Sequence, residues 1–225
     1  MRVLTLVLWF MGLVALTTGS ALAETIWDVN ADFSNANGNP NDAWSYGWLN
    51  NGVFQLYPTP NQLSQDGNPG WFGPLHTAPP WTDGFPQIWK NTSSPLSVVL
   101  LGQLSLHPGP DGEMSIARWT APADCSDTAI QGQFLPGDVG IMQVGIFKNG
   151  NWASPLWGAS DSGAFDLSIP VAAGDTISFG VYGGFLSGNT PLEATITIPE
   201  PSTLVLLGIG ALSLLGYAWR RQRAR

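Results

Sequence analysis

Turn-forming residues interrupt this chain so often that few folds are open to it. Between Glu24 and Ile198, Gly, Pro, Asn, Asp and Ser recur about every 8 to 12 residues. The runs between them are short and rich in β-branched and aromatic residues, and none sustains the 3.6-residue apolar period of a helix. This spacing is typical of a β-sandwich or barrel. We predict one all-β domain over residues 24–198, an antiparallel β-sandwich.

Two local patterns support strands. Residues 113–119 alternate, so that Met114, Ile116 and Arg118 share one face of a strand, and Asn149-Gly150 is a strong hairpin signal. Residues 58–86 hold many Pro and Gly residues and predict a long loop that carries Trp71 and Trp81. The predicted strands are about 25–33, 44–49, 53–57, 87–90, 97–106, 113–120, 128–135, 141–148, 164–169, 176–182 and 192–198.

The two ends of the chain differ from the middle. Arg2 precedes an apolar run over residues 3–16, and Ala21-Leu22-Ala23 is an A-x-A site, so residues 1–23 predict a signal peptide cut between Ala23 and Glu24. An uncleaved anchor is the alternative. Residues 201–219 are uncharged and span about 28 Å as a helix, which predicts a transmembrane segment. The alternative is a buried core helix. Arg220, Arg221, Arg223 and Arg225 then predict a cytoplasmic stop, with the preceding chain outside.

The triplet Pro199-Glu200-Pro201, the apolar segment and the terminal arginines together resemble the PEP-CTERM sorting signal of Gram-negative bacteria, over residues 199–225. The resemblance implies recognition of the Pro-Glu-Pro triplet by an exosortase in the inner membrane. It also implies cleavage near the triplet, and release or transfer of the ectodomain to the cell surface. Such proteins often accompany exopolysaccharide and biofilm production, so exopolysaccharide is a further expected partner.

The net charge of the ectodomain limits the classes of partner that it can bind. Residues 24–198 carry three cations against 15 carboxylates, a net charge of −12. Such a surface repels nucleic acid. It suits neutral polymers or divalent cations, or it simply keeps an exported protein soluble. Cys125 is the single cysteine, so the domain has no internal disulfide.

Short turn and core sequences through the ectodomain are similar to those of exported bacterial jelly-roll domains of the carbohydrate-binding kind. The resemblance implies a jelly-roll-like fold and implies no activity. The segments are 39–40, 44–47, 107–109, 118–122, 132–134, 148–150 and 173–177.

Catalytic signals are weak. The chain contains no G-x-S-x-G, H-E-x-x-H, P-loop or G-x-G-x-x-G motif, and its two histidines, His76 and His107, stand beside prolines in turns. Glu113 and Glu193 are the glutamates with strand-like neighbours, and a glycoside hydrolase needs two carboxylates at one bond. We predict a protein that is not an enzyme.

Aromatic and oxygen-donor residues supply the remaining hypotheses. Sugar rings stack on exposed indoles, and four tryptophans outside the predicted strands are candidates for this role. The cluster of Asp28, Asn30 and Asp32 is a weak Ca²⁺ candidate, since it lacks the Gly and distal Glu of an EF-hand loop; otherwise we expect no cofactor. The glycan-stacking candidates are Trp71, Trp81, Trp152 and Trp157.

The sequence therefore predicts an exported, exosortase-sorted protein of the cell surface or extracellular matrix. It is membrane-anchored before processing and tied to exopolysaccharide or biofilm. A carbohydrate-binding module is the first alternative function, and a glycan-active hydrolase the second.

Overall fold

A computed structural model describes residues 24–64, 66–75, 84–93, 98–199 and 203–223. The predicted signal peptide with Ala21 and Ala23, and also His76, Trp81, Glu200, Pro201 and Arg225, lie outside these residues. The strands of the described chain are β1 (Glu24–Asp28), β2 (Trp44–Asn50), β3 (Val53–Leu56), β4 (Gln62–Leu63), β5 (Pro69–Phe72), β6 (Gln87–Lys90), β7 (Leu104–His107), β8 (Met114–Thr120), β9 (Cys125–Phe134), β10 (Gln143–Lys148), β11 (Trp157–Ser160), β12 (Gly163–Val171), β13 (Thr176–Tyr182) and β14 (Thr190–Pro199).

The strands form two antiparallel sheets packed as a sandwich, which confirms the predicted jelly-roll-like fold. Sheet A has the order β12-β9-β14-β7-β6-β5-β4, and β1 pairs with β14 beside this path. Sheet B has the order β11-β10-β13-β8-β2-β3. Neighbouring strands are mostly distant in sequence, so long-range pairing holds the sandwich together.

The core lies between the sheets and is rich in aromatic rings. Trp44, Trp119 and Phe179 of sheet B are fully buried in one cluster with Ile130 and Ile196 of sheet A. Burying one such large apolar side chain contributes roughly 1.5–3 kcal/mol. Strand β8 alternates as predicted: Ala117 and Trp119 face this core, whereas Met114 and Ile116 belong to a second cluster on the opposite face.

The proline-rich segment is more regular than the sequence predicts. The prediction of an irregular loop over residues 58–86 is wrong, because the segment contains β4 and β5. Pro69 stands at the first position of β5, where a missing backbone N–H is tolerated. Gly70, Trp71 and Phe72 then pair with β6.

Several strand ends have local causes. The predicted strand 25–33 ends at Asp28, because the Asp28 carboxylate accepts hydrogen bonds from the backbone N–H groups of Asn30 and Ala31 and turns the chain. Asn149 and Gly150 have φ angles of 52° and 69° and form the predicted tight turn after β10. The chain then continues to β11, which pairs with β10.

Residues Ile26–Ile198 form one compact unit, and a separate unit includes the C-terminal helix. This helix, α1, runs over Thr203–Arg223. It therefore continues past the predicted end at Trp219 and includes Arg220, Arg221 and Arg223 in its last turn, where cations interact favourably with the helix dipole. Within the described part of the chain, no helix reaches the length and apolarity required of a membrane span.

Candidate functional site

A cleft lies over the outer face of sheet A, and we call it the sheet-A cleft. Its volume is about 580 Å³, and its lining is contributed by the end of β1, the loop before β7, and strands β9 and β14. Carboxylate, amide and hydroxyl side chains line the cleft together with apolar groups, and none of the lining residues is aromatic. The lining residues are Asp28, Asn30, Leu101, Gly102, Gln103, Gln131, Gly132, Glu193, Ala194 and Thr195.

Glu193 organises the wall of this cleft. Its Oε1 accepts a hydrogen bond of 3.1 Å from the amide of Gln103, and its Oε2 accepts one of 2.9 Å from the amide of Gln133. Gln103 in turn accepts a hydrogen bond from the backbone N–H of Leu100. The carboxylate therefore fixes the loop before β7 against strands β14 and β9.

Asn30 joins three strands at one end of the cleft. Its side-chain amide donates to the carbonyl of Leu192 in β14 at 2.9 Å, and its oxygen accepts the N–H of Leu104 in β7 at 2.6 Å. The carbonyl of Asn30 also accepts a hydrogen bond from Lys90 Nζ. Asn30 thus completes the ladder where β7 and β1 meet the same edge of β14.

The Ca²⁺ candidates have other structural roles. Asp28 caps the turn after β1, and Asp32 Oδ2 accepts hydrogen bonds from the N–H of Asp28 and from Nε1 of Trp44. Within the ranges that the structure describes, no three His, Cys, Asp or Glu side chains are grouped in a way that would hold a metal ion. The Asp28, Asn30 and Asp32 arrangement therefore gives the Ca²⁺ hypothesis no support.

The described histidine has both ring nitrogens engaged. His107 Nδ1 lies 2.8 Å from the carbonyl of Pro108, and Nε2 accepts a hydrogen bond from the N–H of Gly188 at 3.3 Å. Burial lowers the pKa of His107 below its usual value. A neutral ring with Nδ1 as donor fits both contacts, which is a structural arrangement and not that of a free general base.

The structure separates the described glycan-stacking candidates. Trp71 is in strand β5 and is 1% exposed, with its Nε1 donating to the carbonyl of Ser34, so its faces are unavailable to a sugar. Its assignment to the loop predicted over residues 58–86 is wrong. Trp157 is half-buried and stacks on Phe134 at the core, with ring centroids 5.9 Å apart. Trp152 is half-buried but packs on the outer face of sheet B.

An aromatic layer covers the outer face of sheet B, formed by Phe54, Phe147, Trp152 and Tyr182. It covers Met114 and Ile116, and Ile116 is 0% exposed although it points away from the main core. Glycines in the strands below make room for these side chains. A Cβ on Gly47 would lie 2.8 Å from the ring of Phe54, and a Cβ on Gly145 would lie 2.9 Å from the ring of Phe147.

Arg118 lies within this layer. Its guanidinium carbon is 3.5 Å from the ring centroid of Phe54 and 5.7 Å from the ring of Trp152, both within cation–π range. The cross-strand neighbours are the small residues Ser45 and Ser178, and Arg118 Nε donates to Ser178 Oγ at 3.1 Å. Partial burial lowers the pKa of Arg118 to about 10, so the side chain stays charged at neutral pH.

Sequence reasoning missed the role of Arg118 and of the cleft amides. The alternation in β8 assigns Arg118 to an outward face, but the rings around it come from β3 and from the loop after β10. Gln103 is 90 residues from Glu193. No local pattern marks such pairs, although the recurrent Gly in strands β2, β10 and β13 is a usable signal of close backbone approach.

Residues 197–223 match the PEP-CTERM protein-sorting motif, which confirms the resemblance seen in the sequence. The matched segment starts in the last residues of β14 and includes helix α1. The motif implies an exported protein that is sorted to the cell surface. No curated protein sequence matches the chain.

Solved structures with some similarity to the chain include an adhesin domain and a carbohydrate-binding module. The K3 cleaved adhesin domain of Lys-gingipain from Porphyromonas gingivalis W83 is 11% identical, with a TM-score of 0.34, and the match covers 78% of this chain and 99% of that one. A family 11 carbohydrate-binding module of Clostridium thermocellum is 13% identical, with a TM-score of 0.30 and coverages of 80% and 96%. Similarities this low carry no conclusion about the ligands of this chain.

Proposed function

We propose that this chain is an exported, exosortase-sorted protein of the cell surface or extracellular matrix with a non-catalytic role, tied to exopolysaccharide or biofilm. The observation that carries the proposal is the sorting motif over residues 197–223. In this proposal a signal peptide over residues 1–23 starts export, and a membrane-anchored stage precedes recognition of Pro199-Glu200-Pro201 by the exosortase. Arg220, Arg221, Arg223 and Arg225 hold the C-terminus in the cytoplasm.

The environments of Glu113 and Glu193 support a non-catalytic role. Both carboxylate oxygens of Glu193 accept hydrogen bonds from glutamine amides, which suits a structural anchor. Glu113 is 2% exposed, and its Oε2 accepts a hydrogen bond from the N–H of Asp111. Glu193 lines the sheet-A cleft and Glu113 does not, so the two carboxyl groups do not face one cleft together as glycoside hydrolysis requires.

The sorting part of the proposal is tested in a strain with an active exosortase. We expect the wild-type protein in the surface and medium fractions, and a Glu200→Ala variant retained with the membrane fraction, because the triplet is disrupted. Asp66→Asn, at an exposed turn far along the chain, is the matched control for loss of one carboxylate. Equal surface fractions for wild type and Glu200→Ala would contradict exosortase sorting through this triplet.

The sheet-A cleft favours neutral-carbohydrate binding as a second function. A cleft of about 580 Å³ with amide, carboxylate and hydroxyl groups from Gln131, Asp28 and Thr195 suits a ligand with many hydroxyl groups. The test is a pull-down of the full-length chain on a panel of insoluble and soluble neutral polysaccharides. We expect Gln131→Ala to weaken retention and Trp152→Ala to leave it unchanged. If no polysaccharide of the panel retains the wild-type protein, the chain does not have this function.

A further inference from the structure

The three cations of the ectodomain differ in how they are satisfied. Lys148 forms an ion pair with Asp175 at 2.9 Å and donates to the carbonyl of Pro170. Lys90 donates to the carbonyl of Asn30. Within the described residues the side chain of Arg118 makes one hydrogen bond, from Nε to Ser178 Oγ, and its two terminal nitrogens donate to no protein group.

Neighbouring side chains hold Arg118 in a defined position. Phe54 and Trp152 flank its guanidinium, and the serines beside it on β2 and β13 are too small to cover it. The side chain is half-buried, so its rotamer freedom is already restricted before any ligand arrives. A fixed guanidinium with free terminal N–H groups matches a carboxylate in a two-bond, planar geometry.

The flanking rings define the rest of the ligand. Aromatic faces pack against the apolar C–H face of a sugar ring, and the rings of Phe54 and Trp152 lie 3.5 Å and 5.7 Å from the guanidinium carbon. The ectodomain as a whole carries net charge −12 and gives no diffuse attraction to polyanions. Recognition of an anionic sugar at this face therefore depends on local contact with Arg118.

We propose that the outer face of sheet B binds hexuronate residues of an acidic polysaccharide, with the sugar carboxylate on the terminal nitrogens of Arg118 and the sugar ring against Trp152. This site is distinct from the sheet-A cleft, and it does not depend on the sorting motif. A failure of exosortase processing leaves it intact.

The test is titration calorimetry of the purified full-length chain with a defined oligogalacturonate. The fully methyl-esterified oligomer is the matched ligand control, because it keeps the sugar rings and removes the charge. We expect binding of the acid form and at least about tenfold weaker binding of the ester, since a charge-assisted bidentate contact is lost.

Protein variants locate the site. Arg118→Met keeps an apolar stem within the aromatic layer and should weaken binding about tenfold or more, and Arg118→Lys should be intermediate because it keeps charge without the planar fork. Gln131→Ala, in the sheet-A cleft, should bind as wild type does. Unfolding midpoints in urea, measured for every variant, separate loss of the site from loss of the fold.

Three results would overturn the proposal. One is no binding of oligogalacturonate at millimolar concentration, and another is equal affinity of the acid and ester forms. The third is unchanged affinity in a folded Arg118→Met protein. Competition experiments identify the ligand chemistry. Displacement of the oligogalacturonate by an equal concentration of inorganic phosphate would show a general anion site, and displacement by a triglutamate peptide would show a site for acidic peptides; either result would contradict the hexuronate proposal.

Discussion

Both sheets are antiparallel, but different kinds of side chain cover their outer faces. The face of sheet A carries carboxylates and amides that bond to one another across strands, with Glu193 between Gln103 and Gln133. The face of sheet B packs aromatic rings against glycines, with the guanidinium of Arg118 near the rings of Phe54 and Trp152. Both faces are ordered by side chains, but one uses directional hydrogen bonds and the other uses close packing.

This difference predicts how each face responds to change. A packed layer over glycines has no spare volume, so any added atom displaces a ring or the backbone. A hydrogen-bonded face tolerates added volume but not the removal of a partner, since an unsatisfied buried group is costly.

The largest effect is expected from filling a glycine of sheet B. In Gly47→Ala the new methyl would collide with the carbonyl oxygen of Gln55 and lie 2.8 Å from Phe54. We expect a loss of about 3 kcal/mol in the free energy of unfolding, measured with urea. Gly158→Ala is the control, because its nearest neighbour would be at 3.4 Å. Equal losses in the two variants would contradict a close-packed layer.

Removal of the strand junction in sheet A comes next. Asn30→Ala deletes the hydrogen bonds to Leu192 and Leu104 and leaves a backbone carbonyl and an N–H without partners. We expect a loss of about 2 kcal/mol in urea unfolding. Asn37→Ala, at an exposed bend, should change stability by less than about 0.5 kcal/mol. If Asn30→Ala were as mild as this control, Asn30 would not be joining the strands.

A smaller effect is expected from the carboxylate of the cleft wall. Glu193→Gln removes the charge and turns one accepting oxygen into a donor that faces a glutamine amide. We expect a loss of about 1 kcal/mol, and a double-mutant cycle with Gln103→Ala should show that the two changes are not additive. Strict additivity would mean that the 3.1 Å contact contributes nothing to stability.

The smallest effect concerns pH. Burial lowers the folded-state pKa of His107 below 6.5, so as pH falls the unfolded chain takes up this proton first. The stability due to the neutral ring is therefore complete above pH 6.5 and declines as pH falls from 6.5 toward the folded pKa. Urea unfolding of wild type and His107→Gln between pH 4.5 and about 7.5 measures this: the difference between them should shrink toward acid pH. A constant difference would be the contrary result.

The sequence predicted what depends on local chemistry. Strands Gln87–Lys90 and Thr176–Tyr182, the alternation along β8, the Asn149-Gly150 turn and the sorting motif all follow from short-range patterns. The fold class follows from the spacing of turn residues. None of these predictions requires knowledge of which strands become neighbours.

What the sequence did not predict depends on long-range pairing. The prolines around Trp71 predict a loop, yet pairing of β5 with β6 places this residue in the core. Asn30 resembles a cation ligand until β7 and β14 are placed beside it. In the sequence Arg118 resembles an ordinary exposed cation, whereas in the fold its guanidinium lies near the rings of Phe54 and Trp152.

The central claim, that the chain is an exosortase-sorted surface protein, is tested most directly by mass spectrometry of the protein recovered from the surface of a strain with an active exosortase. The account predicts an N-terminus at Glu24 and a C-terminus close to Pro199-Glu200-Pro201, with helix α1 (Thr203–Arg223) removed. The same strain without its exosortase should retain the full C-terminal segment. Surface protein that still ends at Arg225 in the presence of the active enzyme would contradict the account.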